Sequence, residues 1–320
     1  MQTQRLKANV TFDIKSIANK YAVVIALLIL WGIFAIFNPN FLTFNNIHAS
    51  VLNAVPVGIV AIGAGIGQMG GYYDMSVGMV GGMAIVLVPF LFEWGFPIWA
   101  IILIPLLMGA LCGFITGCTI TYLNMNSWIS TFALQKIYQT ILYVVTDGVP
   151  ITLGSAKFES FTKFGSMRIL GVQFPIIVMI VVYILAYLFL RFRPMGRYMY
   201  LLGSNSAAAQ ISGVNLHKTR LAMFIIQGTL AALGGLLWAA RLKQAAPFIC
   251  QGFPFEGIAA AMVAGMYGGK GNILLCLVAL LLIYTIKNGL VQIGLSEYFQ
   301  YAVIGLLMLY ACILQTGRKK

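Results

Sequence analysis

Long apolar runs alternate with short polar or glycine-rich interruptions along almost the whole chain. The runs predict membrane-spanning helices at 21–37, 51–69, 75–92, 97–123, 127–145, 172–190, 221–240, 255–267, 272–290 and 298–314. Most are apolar on every side, which marks buried or lipid-facing helices. Their length suits a hydrocarbon core of roughly 30 Å, crossed by about 20 helical residues. Glycine interrupts 51–92 and 255–267, so these are candidates for re-entrant segments. The expected fold is an all-α integral membrane bundle of eight to ten spans with Gly-broken or re-entrant segments. Residues 1–20 form an N-terminal segment, 21–314 the transmembrane domain and 315–320 a tail. The one long basic interruption is 191–220.

Composition agrees with the pattern. A chain that is 61% hydrophobic and 8% charged, with mean hydropathy +0.93, cannot surround a soluble core with a solvated surface. Its neighbour is membrane lipid. The net charge of +13 raises nucleic acid as a partner, but its distribution argues against one. With ten spans, 13 of the 20 Lys and Arg residues fall on the side holding both termini. That is the positive-inside asymmetry, and it places the N- and C-termini in the cytoplasm. No small-residue cleavage site follows the first apolar run, so 1–20 is expected to be retained. The cysteines show no CxxC spacing and mostly lie in apolar runs, as small core residues do. Trp31, Trp94, Trp99, Trp128 and Tyr298 fit an interfacial aromatic belt.

Glycines recur four apart at Gly63, Gly67 and Gly71, and at Gly109, Gly113 and Gly117; Gly257, Ala261, Gly265 and Gly269 repeat the pattern. Small residues at that spacing let two helices approach closely. Two ladders run into Gly-dense stretches, GQMGGYYDMSVGMVGG (67–82) and AGMYGGKGN (264–272). Non-helical backbone at membrane depth needs protein cover or a wet cavity, and paired breaks in two halves point to a translocation path.

Polar groups within the apolar runs supply the candidate path or gate. Asp74 is costly there, at about 2.5–3.5 kcal/mol for a charge at a span centre. Gln68, Tyr72, Tyr73 and Ser76 surround it, and Gly78 follows. Two roles fit Asp74: N-cap of the next helix, or a wall of the path. Lys136 lies mid-span and must face the interior or snorkel. It is expected to pair with a carboxylate or carbonyl, with solute contact as the alternative. Glu256 resembles Asp74 in position, with capping again the alternative, whereas Lys287 and Asn288 are expected to snorkel.

No GxxxxGK[ST], HExxH or GxSxG occurs, and the acids number seven, too few for an obvious proton relay. Neither catalysis nor a cofactor or metal is expected. The chain is then a channel or secondary transporter working alone, or it borrows a motor. Residues 191–220 favour borrowing: Ser204 or Asn205 can cap a short helix through Ile211, with Gly213 at its end. The alternative is a loop resting on lipid.

Several blocks occur in order: NPNFLTFNNI (38–47), GYYDMSVGMVGG (71–82), GRYMYLLGSNSAAAQISGVNLHKTR (196–220), FEGIAAAMVAGMYGGKGN (255–272) and KNGLVQIGLSEYFQYAVIGLLML (287–309). Together they resemble the membrane subunit of ribose-type ABC importers, within the monosaccharide and branched-chain amino acid permease superfamily. The resemblance implies a bacterial cytoplasmic-membrane permease for a monosaccharide or related small polar solute. It also implies a second permease subunit, identical or related, an extracytoplasmic solute-binding protein and a cytoplasmic ATP-binding subunit. By that similarity Gly203, Asn205, Ala208, Ala209 and Gly213 belong to the ATPase-coupling segment, and Asp74, Ser76 and Gly78 to a D-x-S-V-G signature beside the path. Tyr72-Tyr73 departs from the family's small or aliphatic residues, and Ser206-Ala207 from its acidic pair. Nucleosides and branched-chain amino acids stay open as solutes.

Overall fold

The computed structural model describes residues 22–296 and 298–317. The expected N-terminal segment 1–20 and residues 318–320 of the tail lie outside the described residues.

The apolar runs become helices. They are α1 (Ala22–Phe37), α2 (Phe44–Met69), α3 (Val77–Glu93), α4 (Ile98–Thr121) and α5 (Ser127–Thr146) in the first half. A small irregular unit follows: β1 (Ile151–Thr152), α6 (Glu159–Ser166), β2 (Arg168–Ile169) and β3 (Val172–Gln173). Then come α7 (Phe174–Phe192), α8 (Pro194–Ser204), α9 (Ser206–Ile211), α10 (Leu216–Leu242), β4 (Gln244–Ala245), α11 (Phe253–Val263), α12 (Ile273–Gln292) and α13 (Tyr298–Gly317). Among the described residues the architecture is that of an all-α membrane protein apart from two tiny antiparallel ladders, β1–β4 and β2–β3. Among the described residues, five helices are long and apolar enough to cross a bilayer: α2, α4, α7, α10 and α12. Shorter apolar stretches are α1, α3, α11 and, within α13, Tyr298–Leu309.

Helix α2 is the axis of the bundle. Every residue from Ala54 to Met69 is buried, as expected of a helix apolar all round. It packs against α7, α10, α11 and α12. Close approach depends on the glycine ladders. Gly109 and Gly113 of α4 meet the backbone of α10 at Gly228 and Phe224, and a Cβ on Gly109 would lie 2.5 Å from the Gly228 carbonyl oxygen. Gly235 of α10 faces the Gly81 carbonyl of α3 in the same way, at 2.6 Å. With so little gain in apolar burial on leaving lipid, this backbone-level packing holds the helices together.

Two expectations change. The span expected at 51–69 begins at Phe44, because Asn45, Asn46 and Ser50 belong to the helix and not to a preceding loop. The glycines of 67–82 do not break a long segment: the interruption is confined to 70–76, and Gly78, Gly81 and Gly82 lie inside α3. The Trp31 indole donates to Thr285 Oγ1 of α12 at 2.9 Å and so ties α1 to α12. Helix α11, by contrast, is short. Its 11 residues rise only about 16 Å, half a hydrocarbon core.

Candidate functional site

At one end of α2 the two glycine-rich breaks come together. The Gly269 amide donates to the Met69 carbonyl at 2.8 Å, joining 264–272 to the end of α2. Gly203, in the last turn of α8, is wedged against both. A Cβ there would overlap the Met69 carbonyl oxygen and lie 2.7 Å from the Gly269 nitrogen. Gly269 has φ +70° and abuts Ser204, so its position excludes a side chain twice over. Tyr200 of α8 donates to the Gly271 carbonyl at 3.2 Å. Burial raises the phenol's pKa.

The predicted short helix is present as α9. Asn205 caps it, its side chain accepting from the Ala208 amide at 3.0 Å, and Gly213 ends the turn at φ +82°. Ala209 is buried, whereas Ala208 is exposed and Ile211 is 90% exposed. Helix α8 was not anticipated, although Pro194 at its first turn is a start signal and Gly196, Met199 and Leu202 give it a buried face.

The first break is stitched to α5. Met75 N–H donates to Thr131 Oγ1 at 3.1 Å and Tyr73 N–H to Ser127 Oγ at 3.4 Å. Asp74 is buried and accepts from the Ser76 amide (2.8 Å) and hydroxyl (2.6 Å). It therefore closes the turn before α3; the N-cap position belongs to Ser76, whose side chain makes no cap bond. Asn272 does the same after the second break, accepting from the Leu274 amide at 2.9 Å. Tyr72 lies edge-on to Phe224 with Arg220 over its ring, and Tyr73 packs on Trp128. Gly78 leaves room for the Cys250 carbonyl and Pro254. Gln68 is buried and donates to the Ile258 carbonyl at 3.1 Å, tying α2 to α11. Lys136 stands apart on the exposed face of α5, paired with the Gln139 side-chain carbonyl at 3.1 Å and 5.5 Å from the Phe132 ring centre.

The other end of α2 borders a cavity of about 940 Å³. Asn53 on its wall is separated from Met69 by 16 residues, roughly 24 Å along the helix. Glu256, in the first turn of α11, faces this space. Its carboxylate does not cap: Lys287 Nζ donates to both oxygens at 3.0 and 3.1 Å, and the Tyr284 hydroxyl donates to Oε2 at 2.9 Å. Lys287, expected to snorkel, is thus an ion-pair partner that also lies 4.6 Å from the Tyr284 ring centre. Asn288 donates to Asn46 Oδ1 at 3.0 Å. The signal for these residues was present. Tyr284, Lys287, Asn288 and Val291 share one helix face, as do Asn46, Ser50 and Asn53.

The bundle thus has two distinct ends, one with the joined glycine-rich breaks and the exposed helix α9, the other with a polar-lined cavity. Residues 46–312 match the family model described as "Branched-chain amino acid transport system / permease component". The chain belongs to this permease family. Relatives extend over nearly its whole length. The ribose import permease protein RbsC of Haemophilus influenzae is 34% identical, covering 92% of this chain and 93% of that one. RbsC of Bacillus subtilis is 33% identical over 100% and 99%. The L-arabinose transport system permease protein AraH of Escherichia coli is 29% identical over 97% and 94%. No solved structure matches the chain significantly. Within this permease, the two breaks, the exposed helix pair and the cavity fall in the matched span.

Proposed function

We propose that the chain is the translocating subunit of an ATP-driven importer for a sugar of the ribose or arabinose kind, in the bacterial cytoplasmic membrane. Similarity over nearly the whole length to permeases named for ribose import and L-arabinose transport supports the class. The observation that carries the mechanism is the contact of Gly203 with both Met69 and Gly269. A subunit gripping the exposed side of α9 pushes on α8, and α8 has no slack against either break. Displacing that junction shifts the ends of α2 and α11 together, so both halves of the path move as one.

On this reading both termini and α8–α9 lie in the cytoplasm, and the cavity opens outward to receive solute from a binding protein. A second permease subunit completes the path, covering Lys136, a charge too costly to leave in lipid. ATP is hydrolysed by the partner, and this chain supplies no nucleotide site. Sugar uptake into liposomes holding the chain, its ATP-binding subunit and its binding protein tests the proposal. Uptake of labelled ribose or arabinose must require ATP on the α8–α9 side. Equal uptake by the chain alone, driven by an ion gradient, would replace the importer with a secondary transporter.

A further inference from the structure

The cavity at the start of α11 has the features of a solute site within a single subunit, and its charges are arranged in an unusual way. Its volume, about 940 Å³, lies in the range of ligand pockets, roughly 300–1,000 Å³. Amides from separate elements converge on it: Asn53 from α2, Gln251 from the loop before α11, and Gln300 from α13. Trp238 and Tyr301 add aromatic surface. Asn53 and Gln251 are exposed, and amides at this depth are tolerated where they meet water or solute instead of lipid.

Among the described residues that line the cavity, Glu256 and Lys287 carry the charges, and each cancels the other. The carboxylate accepts three hydrogen bonds and the ammonium donates two. A carboxylate has about four acceptor sites and an ammonium three donors. One acceptor and one donor therefore remain side by side. A sugar hydroxyl, which both donates and accepts, fits that pair of vacancies. On the lining an anion or a zwitterion finds no countercharge unless it first separates Lys287 from Glu256; Arg241, which is not on the lining, lies over the Trp238 ring at 5.3 Å.

We propose that this cavity binds the solute and that the Glu256–Lys287 pair, held by Tyr284, makes it selective for uncharged polyols over anions and zwitterions. The inference rests on the sugar-permease reading and deepens it.

Tryptophan fluorescence of the purified full chain in lipid nanodiscs tests it, because Trp238 lies on the cavity wall. D-Ribose, D-ribonate and L-valine serve as neutral, anionic and zwitterionic probes. The expected result is saturable quenching by ribose, lost in Trp238→Phe, with ribonate and valine at least tenfold weaker. Glu256→Gln, which leaves Lys287 without its countercharge, should narrow the ribose-to-ribonate ratio at least tenfold. Asn53→Leu, which removes a wall amide without touching the pair, should weaken ribose at least fivefold at an unchanged melting temperature.

Wild-type quenching that survives Trp238→Phe and is unaffected by Asn53→Leu would overturn the site. An unchanged ribose-to-ribonate ratio in a folded Glu256→Gln chain would overturn the selectivity role. If ribose does not quench the wild type although the assembled importer transports it, the cavity inference fails and the transport reading stands. If ribose saturates the cavity but the assembled importer moves no sugar, the transport reading fails.

Discussion

The amide of Gly269 donates to the carbonyl of Met69 at 2.8 Å, and this one bond joins two segments 200 residues apart. It links the end of α2 to the break after α11 at the point where Gly203 of α8 presses on both. Each break then closes with an Asx side chain that accepts from the amide two residues on: Asp74 from Ser76 and Asn272 from Leu274. Two glycine-rich breaks with like endings, joined to each other and to the same exposed helix pair, form a single mechanical junction.

The cap of α9 should matter for coupling and not for insertion. Asn205→Ala removes the bond to the Ala208 amide and should cost the short helix about 1 kcal/mol. The expected outcome is normal membrane yield with a several-fold loss of sugar-stimulated ATP hydrolysis by the assembled importer. Asn205→Ser, which can still cap, should recover most of it. Equal ATPase rates for the Ala variant and the wild type would count against α9 as the transmission element.

Packing of α4 on α10 tolerates no side chain at the Gly109–Gly228 crossing. Gly228→Val would drive its Cβ into the Gly109 carbonyl, and relief requires moving backbone. We expect a loss of about 3 kcal/mol, the upper end for overpacking, seen as a lower melting temperature in detergent. Gly32→Ala is the control, since nothing lies within 4 Å of its Cβ position, and it should melt at or above the wild-type temperature. Two indistinguishable melting curves would show the crossing to be looser than described.

The Glu256–Lys287 pair should show strong coupling in a double-mutant cycle. Its side chains are 12% and 20% exposed, so removing one partner leaves the other largely cut off from water. Glu256→Gln and Lys287→Met should each destabilise the protein, while the double variant should cost less than their sum, by about 2 kcal/mol. Chemical unfolding of the four proteins in one detergent measures this. Simple additivity would mean that the pair is open and solvated.

Much of this architecture was legible in the chain because lipid makes strong demands on composition. Runs of apolar residues located the main helices, and the four-apart glycines at 109–117 marked a close-packing face whose partner, α10, the structure supplies. Asn205 and Gly213 marked the limits of α9. The start of α2 was missed because Asn45, Asn46 and Ser50 look like loop residues until a polar cavity and Asn288 are seen beside them. Helix α8 was missed because a surface-lying helix lacks a continuous apolar run. The role of Lys287 was hidden for a different reason. Glu256 is 31 residues away, and the two meet only because the break at 264–272 turns α12 back alongside α11. Lys136 was expected to face the interior or snorkel, and it lies on the exposed face of α5, where among the described residues its ammonium meets Gln139 and the Phe132 ring.

The most direct test of the account is the number of sugar molecules imported per ATP hydrolysed by the reconstituted importer, compared between wild type and Gly203→Val. Among the importers that insert and assemble with the substituted chain, the partner should still hydrolyse ATP, yet uptake per ATP should fall at least tenfold. An assembled Gly203→Val importer with the wild-type ratio would contradict transmission through Gly203, Met69 and Gly269.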